Sequence, residues 1–143
     1  SVDSIHKELG HVMWEYVGMG RTAEGLKEGL KRLKEIRKEF EKELFIPGEK
    51  EGMNVELDKA IRLYDFITMG ELVAYDALNR NESCGGHFRE EYQTEEGEAK
   101  RDDENFFYVA CWEYQGDDEK APVLYKEPLV YEAIKVQTRN YKS

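Results

Sequence analysis

The sequence predicts a mainly α-helical fold, an antiparallel three-helix bundle followed by a short β-hairpin or an extended carboxy-terminal tail. Apolar residues recur at helical spacing in three runs as far as Leu78. A polar stretch with two adjacent glycines, residues 80–92, then interrupts the pattern. After an acidic segment, the chain becomes rich in aromatic and β-branched residues, which favour strands.

The first predicted helix begins at a capping residue, Asp3 or Ser4, whose side chain accepts a hydrogen bond from an unpaired amide. Gly18 and Gly20 end it. Its apolar residues lie on one face and are Ile5, Leu9, Val12, Met13 and Tyr16.

The second predicted helix is capped by Thr22, and Glu24 lies near the positive end of its dipole. Pro47 and Gly48 stop it, because proline cannot continue a helix. Its apolar side is formed by Leu26, Leu30, Leu33, Ile36, Phe40 and Leu44.

The third predicted helix starts at the cap Asn54 and has a broad apolar sector, so we expect it to be the central or most buried helix. Its predicted core side comprises Leu57, Ala60, Ile61, Tyr64, Ile67, Leu72, Tyr75 and Leu78. A further apolar set suggests contact on a second side and comprises Leu63, Phe66, Met69 and Val73.

Residues 90–104 contain eight acidic side chains and predict a mobile surface loop. Residues 106–114 and 123–127 predict a hairpin with a turn at 115–118, and proline at 122 and 128 confines the second strand to an edge. Residues 129–141 are interpreted as extended. We expect one domain overall: residues 1–92 form the bundle and its terminal loop, and residues 93–143 pack on it.

The composition argues against several classes of partner. A net charge of −10 disfavours nucleic acid and anionic membranes, which both need a basic surface. No apolar run approaches the roughly 20 residues that span a bilayer, so direct membrane insertion is not expected. Cys84 and Cys111 have neither a CxxC nor a zinc spacing, and free thiols are the simpler interpretation, although the two can in principle be bridged.

Residues 82–92, E-S-C-G-G-H-F-R-E-E-Y, resemble the signature E-S-R-G-x-H-x-R-x-D-Y of one flavoprotein family. The family is the flavoprotein subunit of succinate dehydrogenase and fumarate reductase, with L-aspartate oxidase as a relative. Residues 13–21 are similar to its M-x-x-x-x-G-x-x-R entry to a long helix, and residues 102–106 to its D-D-x-N-W. Cys84 replaces the usual Arg of the signature, and Glu91 stands where Asp is common.

The resemblance implies the helical carboxy-terminal domain of an enzyme that interconverts succinate and fumarate. It implies FAD in the full-length protein, an FAD-binding domain of the same polypeptide and an iron–sulfur subunit as partners. It also implies a location in the cytoplasm or on the cytoplasmic face of the inner membrane within a membrane-associated complex. None of the family's flavin-linking or substrate residues maps here, so we expect no catalytic residue, cofactor or metal in this chain and no activity for it in isolation. The chain starts without Met, which we interpret as a piece of a longer protein.

The candidate site is an inter-domain docking loop in which ionic side chains fix a glycine-rich joint. Its residues are Arg80, Glu82, Ser83, His87 and Arg89. If the family's usual Arg pairs with a neighbouring domain, Cys84 alters or removes that contact. An exposed, solvated loop is the simpler alternative.

Two other constellations suggest chemistry. Glu8 and His11 form an E-x-x-H as in di-iron bundles, but such sites need a second E-x-x-H, so surface residues are the simpler interpretation. Cys84 and His87 suggest a nucleophile and its base, which would still need an orienting group.

Aromatic residues in the predicted hairpin suggest either a docking face or packing on the bundle, which we favour. They are Phe106, Phe107, Tyr108, Trp112 and Tyr114. One alternative function, from another class, is a stand-alone acidic helical module that binds a protein partner through its second helix. A second alternative, within the same family, is the equivalent domain of L-aspartate oxidase.

Overall fold

The computed structural model describes residues 1–44, 46 and 52–141. Three long helices, α1 (Val2–Val17), α2 (Ala23–Glu43) and α3 (Val55–Asn79), pack against one another. One helical turn, α4 (Asp103–Phe106), and two strands, β1 (Tyr108–Glu113) and β2 (Val123–Pro128), follow. The predicted bundle followed by a hairpin is confirmed, whereas the predicted helix stop at Pro47 and Gly48 lies outside the described residues.

Helix α1 begins earlier than the sequence predicts. The cap is Ser1, whose Oγ accepts a hydrogen bond of 3.2 Å from the amide of Ser4, so the predicted caps Asp3 and Ser4 are wrong. The physical reason is Val2, which is buried in the core and therefore has to lie within the helix. Ile5, Leu9 and Val12 are also buried, as expected.

Helix α2 starts as predicted, because Thr22 Oγ1 accepts a 2.9 Å hydrogen bond from the amide of Gly25. Leu26, Leu33 and Ile36 are buried, and the other predicted apolar residues pack partly against the core. A side chain at Gly29 would place its Cβ 2.9 Å from Cβ of Tyr16, so glycine permits the close approach of α1 and α2. Burial of Arg37 was not predicted.

Helix α3 is capped by Asn54, as predicted, but its core side is narrower than predicted. Four predicted core residues, Leu57, Ile61, Tyr64 and Leu72, are 38–58% exposed. Smaller residues of α3 face the core instead. One of them is Gly70, where a Cβ would lie 3.0 Å from the Met13 sulfur. Each pair of helices is in contact, so α3 is not central. The buried side of α3 is formed by Ala60, Leu63, Ile67, Gly70, Ala74 and Ala77.

The strands form an antiparallel hairpin in which Cys111 pairs with Tyr125 and Tyr108 with Pro128. Half-buried and exposed residues alternate along β1, so one face of the strand points inward. On that face, Nε1 of Trp112 donates a 2.8 Å hydrogen bond to Asp76 of α3, and its ring meets Tyr75 edge-on at 5.1 Å. The hairpin therefore packs on the carboxy-terminal half of α3.

The acidic segment is irregular but internally hydrogen-bonded, which its composition did not predict. Thr94 N donates to Glu98 O at 2.8 Å, and Lys100 N donates to Tyr92 O at 3.2 Å. Residues 129–141 contain neither helix nor strand, in agreement with the extended interpretation. The tail contacts the body where Arg101 Nη1 donates to Gln137 O at 2.8 Å. Within the part of the chain that is described, no helix has the length and apolarity to cross a bilayer.

Candidate functional site

The candidate docking loop, residues 80–92, is closed by a tight four-residue turn at its tip. The amide of Cys84 donates to His87 O at 2.8 Å, and the amide of His87 donates back to Cys84 O at 3.0 Å. Gly85 has a φ of +57°, in the left-handed region that glycine adopts without strain. The turn folds the two arms of the loop together, so that residues 83 and 89 meet.

Ser83 locks the two arms of the docking loop. Its hydroxyl is fully buried, donates to Arg89 O at 3.0 Å and accepts from Arg89 N at 2.9 Å. A small hydroxyl can make both bonds because it is donor and acceptor at once. The predicted docking residue Ser83 therefore works inside the loop rather than on its surface.

Arg89 caps the end of α3 from inside the loop. It is buried, and its Nη1 donates to the carbonyls of Ala77 and Leu78, each at 3.1 Å. These carbonyls belong to the last turn of the helix, where no helical amide remains to satisfy them. A cation is also favourable there because of the helix dipole. Arg89 thus fixes the direction in which the chain leaves α3.

Glu91 connects the docking loop to the start of α2. Its Oε1 accepts from the amide of Ala23, and its Oε2 accepts from Nε of Arg89 at 3.1 Å. Burial opposes ionisation, but the Ala23 amide and Arg89 outweigh it and hold the pKa of Glu91 below its ordinary value. Where the resembling family commonly has Asp, the longer side chain of Glu91 makes both contacts here.

The docking loop also pairs with the chain between α1 and α2 through the backbone. The amide of Arg21 donates to Phe88 O at 3.0 Å, and the amide of Glu90 donates to Arg21 O at 2.8 Å. This short parallel bridge joins residues that lie far apart in the sequence. The loop is consequently attached to the end of α3, to the start of α2 and to the connection between α1 and α2.

Arg80 and Glu82 join the docking loop to the hairpin side. Arg80 donates to Phe106 O at 3.2 Å and Tyr108 O at 3.1 Å, and its guanidinium lies 4.8 Å from the Tyr108 ring centre. Glu82 is buried; it accepts from Arg80 at 3.3 Å and from the amide of Asp102 at 3.0 Å. The pair therefore holds the segment from Asp102 to Tyr108 against the end of α3.

The contacts of His87 define its protonation state. Nε2 lies 2.8 Å from the carbonyl oxygen of Arg80, which only accepts, and Nδ1 lies 2.9 Å from Nη1 of Arg21, which only donates. Both contacts are satisfied by the neutral ring with its proton on Nε2. Burial, followed by the charges of Arg21 and Arg89, lowers the pKa of His87, although the bond to Arg80 opposes the shift.

These contacts leave no base for Cys84, because both ring nitrogens of His87 are engaged by other groups. Burial and the charge of Glu82 raise the pKa of the Cys84 thiol, which disfavours the nucleophilic thiolate. Cys84 and Cys111 are free and exposed.

Glu8 and His11 are exposed on α1. Among the described residues, no group of three His, Cys, Asp or Glu side chains is placed to hold a metal ion.

The aromatic residues of the hairpin divide between packing and exposure. Trp112 contacts α3, Phe106 lies 6.2 Å from Tyr108, and Phe107 meets Tyr131 of the tail at 5.8 Å between ring centres. Tyr114 is exposed. The aromatic residues therefore serve mainly to hold the hairpin and the tail on the body.

Two features of the site were not predicted from the sequence. The first is Arg21, which contacts His87 and pairs with the loop backbone; its place in the M-x-x-x-x-G-x-x-R match was the available signal. The second is a cleft of about 410 Å³ between α3 and the hairpin, lined by Arg21, Leu72, Val73, Asp76, Val109 and Trp112. A cleft between two elements leaves no periodic signal in a sequence.

The outer sides of α3 carry apolar side chains that the bundle covers only in part; the ring of Phe66, for example, stacks on His6 of α1 at 5.6 Å. Phe66, Met69 and Val73 recur at spacings of three and four residues and are 48%, 59% and 37% exposed. We call these three residues the outer flank of α3. A second exposed group, Leu57, Ile61 and Tyr64, lies on the other side of the buried stripe, whereas Leu72 lines the cleft together with Val73.

Comparison with known proteins gives a consistent result. The model of a protein family described as fumarate reductase flavoprotein C-term matches residues 6–141. A fumarate reductase flavoprotein subunit of Serratia is 34% identical over 102 residues, covering 71% of this chain and 16% of that protein. L-aspartate oxidase 2-b of Nicotiana tabacum is 36% identical over 89 residues, covering 62% of this chain and 13% of that protein.

Among solved structures, a variant of Escherichia coli quinol fumarate reductase superposes with a TM-score of 0.79 at 25% identity. The match covers 96% of this chain and 22% of that chain. The sequence thus corresponds to a small part of the proteins it resembles, between about one eighth and one quarter of their length.

Proposed function

Because the chain belongs to the family of fumarate reductase flavoprotein carboxy-terminal domains, we propose that it is the non-catalytic helical domain of an FAD-dependent oxidoreductase that interconverts succinate and fumarate. Its task is to support the FAD-binding domain of the same polypeptide and to help dock the iron–sulfur subunit. The domain comprises the bundle and docking loop of residues 1–92 together with residues 93–143.

The observation that carries this proposal is the outer flank of α3. Large apolar side chains at helical spacing are normally buried, and a contiguous exposed group of them marks an interaction surface. The relatives are several times longer than this chain, so the rest of the polypeptide is available to cover the flank. The second exposed group, around Ile61, leaves room for a further partner.

In the proposed role, FAD is held by a part of the polypeptide outside residues 1–143. Dinucleotides are usually held by a glycine-rich loop between a parallel strand and a helix. The sheet within the described part of the chain is a two-stranded antiparallel hairpin, which differs from that arrangement. The docking loop would then act by positioning its neighbours rather than by redox chemistry.

The docking loop supports this role because hydrogen bonds of its buried side chains hold it within the fold. Ser83, Glu82 and Arg89 are buried and each is hydrogen-bonded on more than one side. Such networks fix geometry more than they add stability. A fixed loop at the end of α3 presents its exposed turn, Cys84–Gly86, to a neighbour without an entropic cost of ordering on binding.

The proposal is tested in the full-length flavoprotein with Met69→Glu, which places a charge in the outer flank. We expect a lower unfolding temperature, a lower ratio of flavin absorbance to protein and weaker co-purification of the iron–sulfur subunit. Lys31→Glu, on the exposed side of α2, is the matched control and should change none of these.

Oxidation of methionines by peroxide gives an independent measurement on the unsubstituted protein. Met69 should be protected in the full-length protein, whereas Met53, which is almost fully exposed, should react. Unchanged flavin content and subunit binding in Met69→Glu, together with rapid oxidation of Met69, would refute the proposal. A loss of partner binding in Lys31→Glu instead would favour a protein-binding module that uses α2.

A second candidate is the equivalent domain of an L-aspartate oxidase, which the similarity to the tobacco enzyme favours. The two candidates share the support role and differ in the substrate of the full-length protein. Parallel assays with succinate and L-aspartate as electron donors separate them. Oxidation of L-aspartate without oxidation of succinate would assign the chain to the second group.

A further inference from the structure

Arg21 is a half-buried cation with no acidic partner among the described residues. Its Nε donates to Val17 O at 3.2 Å, and its Nη1 donates to Nδ1 of His87 at 2.9 Å. Both acceptors are neutral. The other buried or half-buried guanidinium groups of the described fold each pair with a carboxylate; they are Arg37, Arg80, Arg89 and Arg101.

This arrangement leaves the charge of Arg21 only partly compensated. Removing a guanidinium from water is costly unless a carboxylate and full hydrogen bonding replace the solvent. Burial indeed lowers the pKa of Arg21, and the more distant carboxylate of Asp76 only partly opposes that shift. Asp76 forms no salt bridge with Arg21, and its Oδ1 accepts the hydrogen bond from Trp112 instead.

Arg21 lies on the wall of the cleft between α3 and the hairpin. The other walls include Leu72, Val73 and Val109, and the exposed Val73 belongs to the outer flank of α3. The cleft is therefore continuous with the surface proposed to bind the rest of the polypeptide. Asp76, Arg80 and His87 also line the cleft, so an incoming carboxylate would meet two guanidinium groups and one negative charge. The apolar part of the walls lowers the local dielectric constant and thereby strengthens an ion pair with Arg21.

We propose that this cleft receives an aspartate or glutamate side chain from the FAD-binding domain of the same polypeptide, and that its carboxylate pairs with Arg21. The inference rests on the proposed function and adds the chemistry of one contact to it. A segment of the same polypeptide is chosen because covalent linkage gives it a high effective concentration at the cleft. The ion pair also sets the register of docking, since the apolar flank alone is not directional.

The test uses Arg21→Lys in the full-length protein and a water-soluble carbodiimide, which joins an amine to a carboxylate in direct contact. Arginine itself does not react, so the substitution creates the reporter while keeping the charge. Lys59 is the internal control: it lies 3.4 Å from Asp3 and 3.3 Å from Glu56, and a link to Asp3 reports that α1 and α3 are packed. Cross-linked peptides are identified by mass spectrometry.

We expect a new peptide that joins position 21 to an acidic residue of the FAD-binding domain and is absent from the unsubstituted protein. Linkage of position 21 only to Asp76, linkage to another subunit, or no linkage would overturn the inference. If other lysines of residues 1–143 still link to the FAD-binding domain, the support role survives that failure. If none does, both proposals fail.

Loss of the Lys59–Asp3 link in Arg21→Lys would mean that the substitution disturbs the packing of α1 on α3. In that case, the unsubstituted full-length protein is treated with phenylglyoxal, which modifies accessible guanidinium groups. Because Arg21 is already half-buried within the domain, the reference is Arg101, which is also half-buried. Slower modification of Arg21 than of Arg101 supports the ion pair. Modification of Arg21 as rapid as that of Arg101 overturns it.

Discussion

His87 shows how one side chain can make the docking loop depend on pH. A carbonyl on one side of its ring and a guanidinium on the other can both be satisfied only by the neutral tautomer. Protonation of Nδ1 would direct an N–H at Arg21 and place a positive charge beside both Arg21 and Arg89. Glu82 and Asp76 are the nearby negative groups, and both are already hydrogen-bonded.

This arrangement predicts that acid destabilises the fold through His87. The folded pKa is lower than the unfolded value of about 6.5, so the unfolded chain takes up the proton first as the pH falls. Stability is therefore complete above the unfolded pKa and decreases as the pH falls toward and through the folded pKa. The loss should be about 1 kcal/mol or less, because the ring is only half buried.

The effect is measured by urea unfolding of the unsubstituted protein and of His87→Gln. The pH is varied from about 5 to about 8, a range that brackets the ordinary His pKa of about 6.5. A glutamine amide can donate to Arg80 O and accept from Arg21 but cannot titrate in this range. The difference in unfolding free energy between the two proteins should change below the unfolded pKa of His87, because every other titratable group is common to both. A pH-independent difference would show that His87 is not the titrating group.

At the scale of elements, the pair formed by Arg37 and Glu71 joins α2 to α3. Arg37 is 5% exposed, and its Nε and Nη2 donate to the two carboxylate oxygens of Glu71, each at 3.1 Å. Thr68 accepts a further bond at 3.0 Å. Nη1 has no hydrogen-bond partner among the described residues but lies 3.9 Å from the carboxylate of Asp118. The pair is therefore bidentate, with a buried arginine and a half-buried glutamate.

Removing one member of this pair should cost more than removing both. Glu71→Ala leaves the Arg37 charge buried and is expected to lower the unfolding free energy by about 3 kcal/mol. Arg37→Met with Glu71→Leu should recover most of that loss, because a buried pair can be replaced by apolar side chains at little cost. Both values come from denaturant unfolding monitored by circular dichroism.

The matched control is the exposed pair of Arg32 and Glu28 on α2, where Glu28→Ala should change stability by less than about 1 kcal/mol. Equal losses for Glu71→Ala and Glu28→Ala would contradict the assigned role of burial.

The elements also show which parts of the structure a sequence can predict. Helix starts at Thr22 and Asn54 were predicted because a cap acts on amides only three residues away. The side of α3 that faces the core was predicted only in part, because its apolar residues surround most of the helix and periodicity cannot rank them. Gly70 packs against Met13 of α1, where a Cβ would lie 3.0 Å from the sulfur, and such a contact between two helices leaves no periodic signal in the sequence.

The candidate site also has one part that the sequence could predict and another part that it could not. Arg80, Glu82, Ser83, His87 and Arg89 lie together because they are neighbours in the sequence, and the adjacent glycines indicated a sharp turn. The contacts of Arg21, Ala23 and Asp102 with this loop could not be predicted, since they join positions distant in sequence. The role of the loop in docking stays a prediction.

For the whole molecule, the question is whether the bundle and residues 93–143 form one cooperative unit. Trp112 and Arg80 tie β1 to α3, and Glu82 ties the acidic segment to the docking loop. The hairpin has only two strands, and such a hairpin is marginally stable by itself. Its order should therefore depend on the bundle.

We expect a single unfolding transition in Trp14→Phe, which leaves Trp112 as the only tryptophan. Trp14 is 83% exposed on α1, so its replacement should cost little stability. Fluorescence of Trp112 then reports release of the hairpin from Asp76 and Tyr75. Circular dichroism at about 222 nm reports the helices, and unfolding is two-state when the transitions seen by the two probes coincide. Because the hydrogen bond of Trp112 and the helix packing support each other, the two midpoints in urea should coincide. A fluorescence transition at clearly lower urea would mean that the hairpin detaches first and that residues 93–143 form a separate unit.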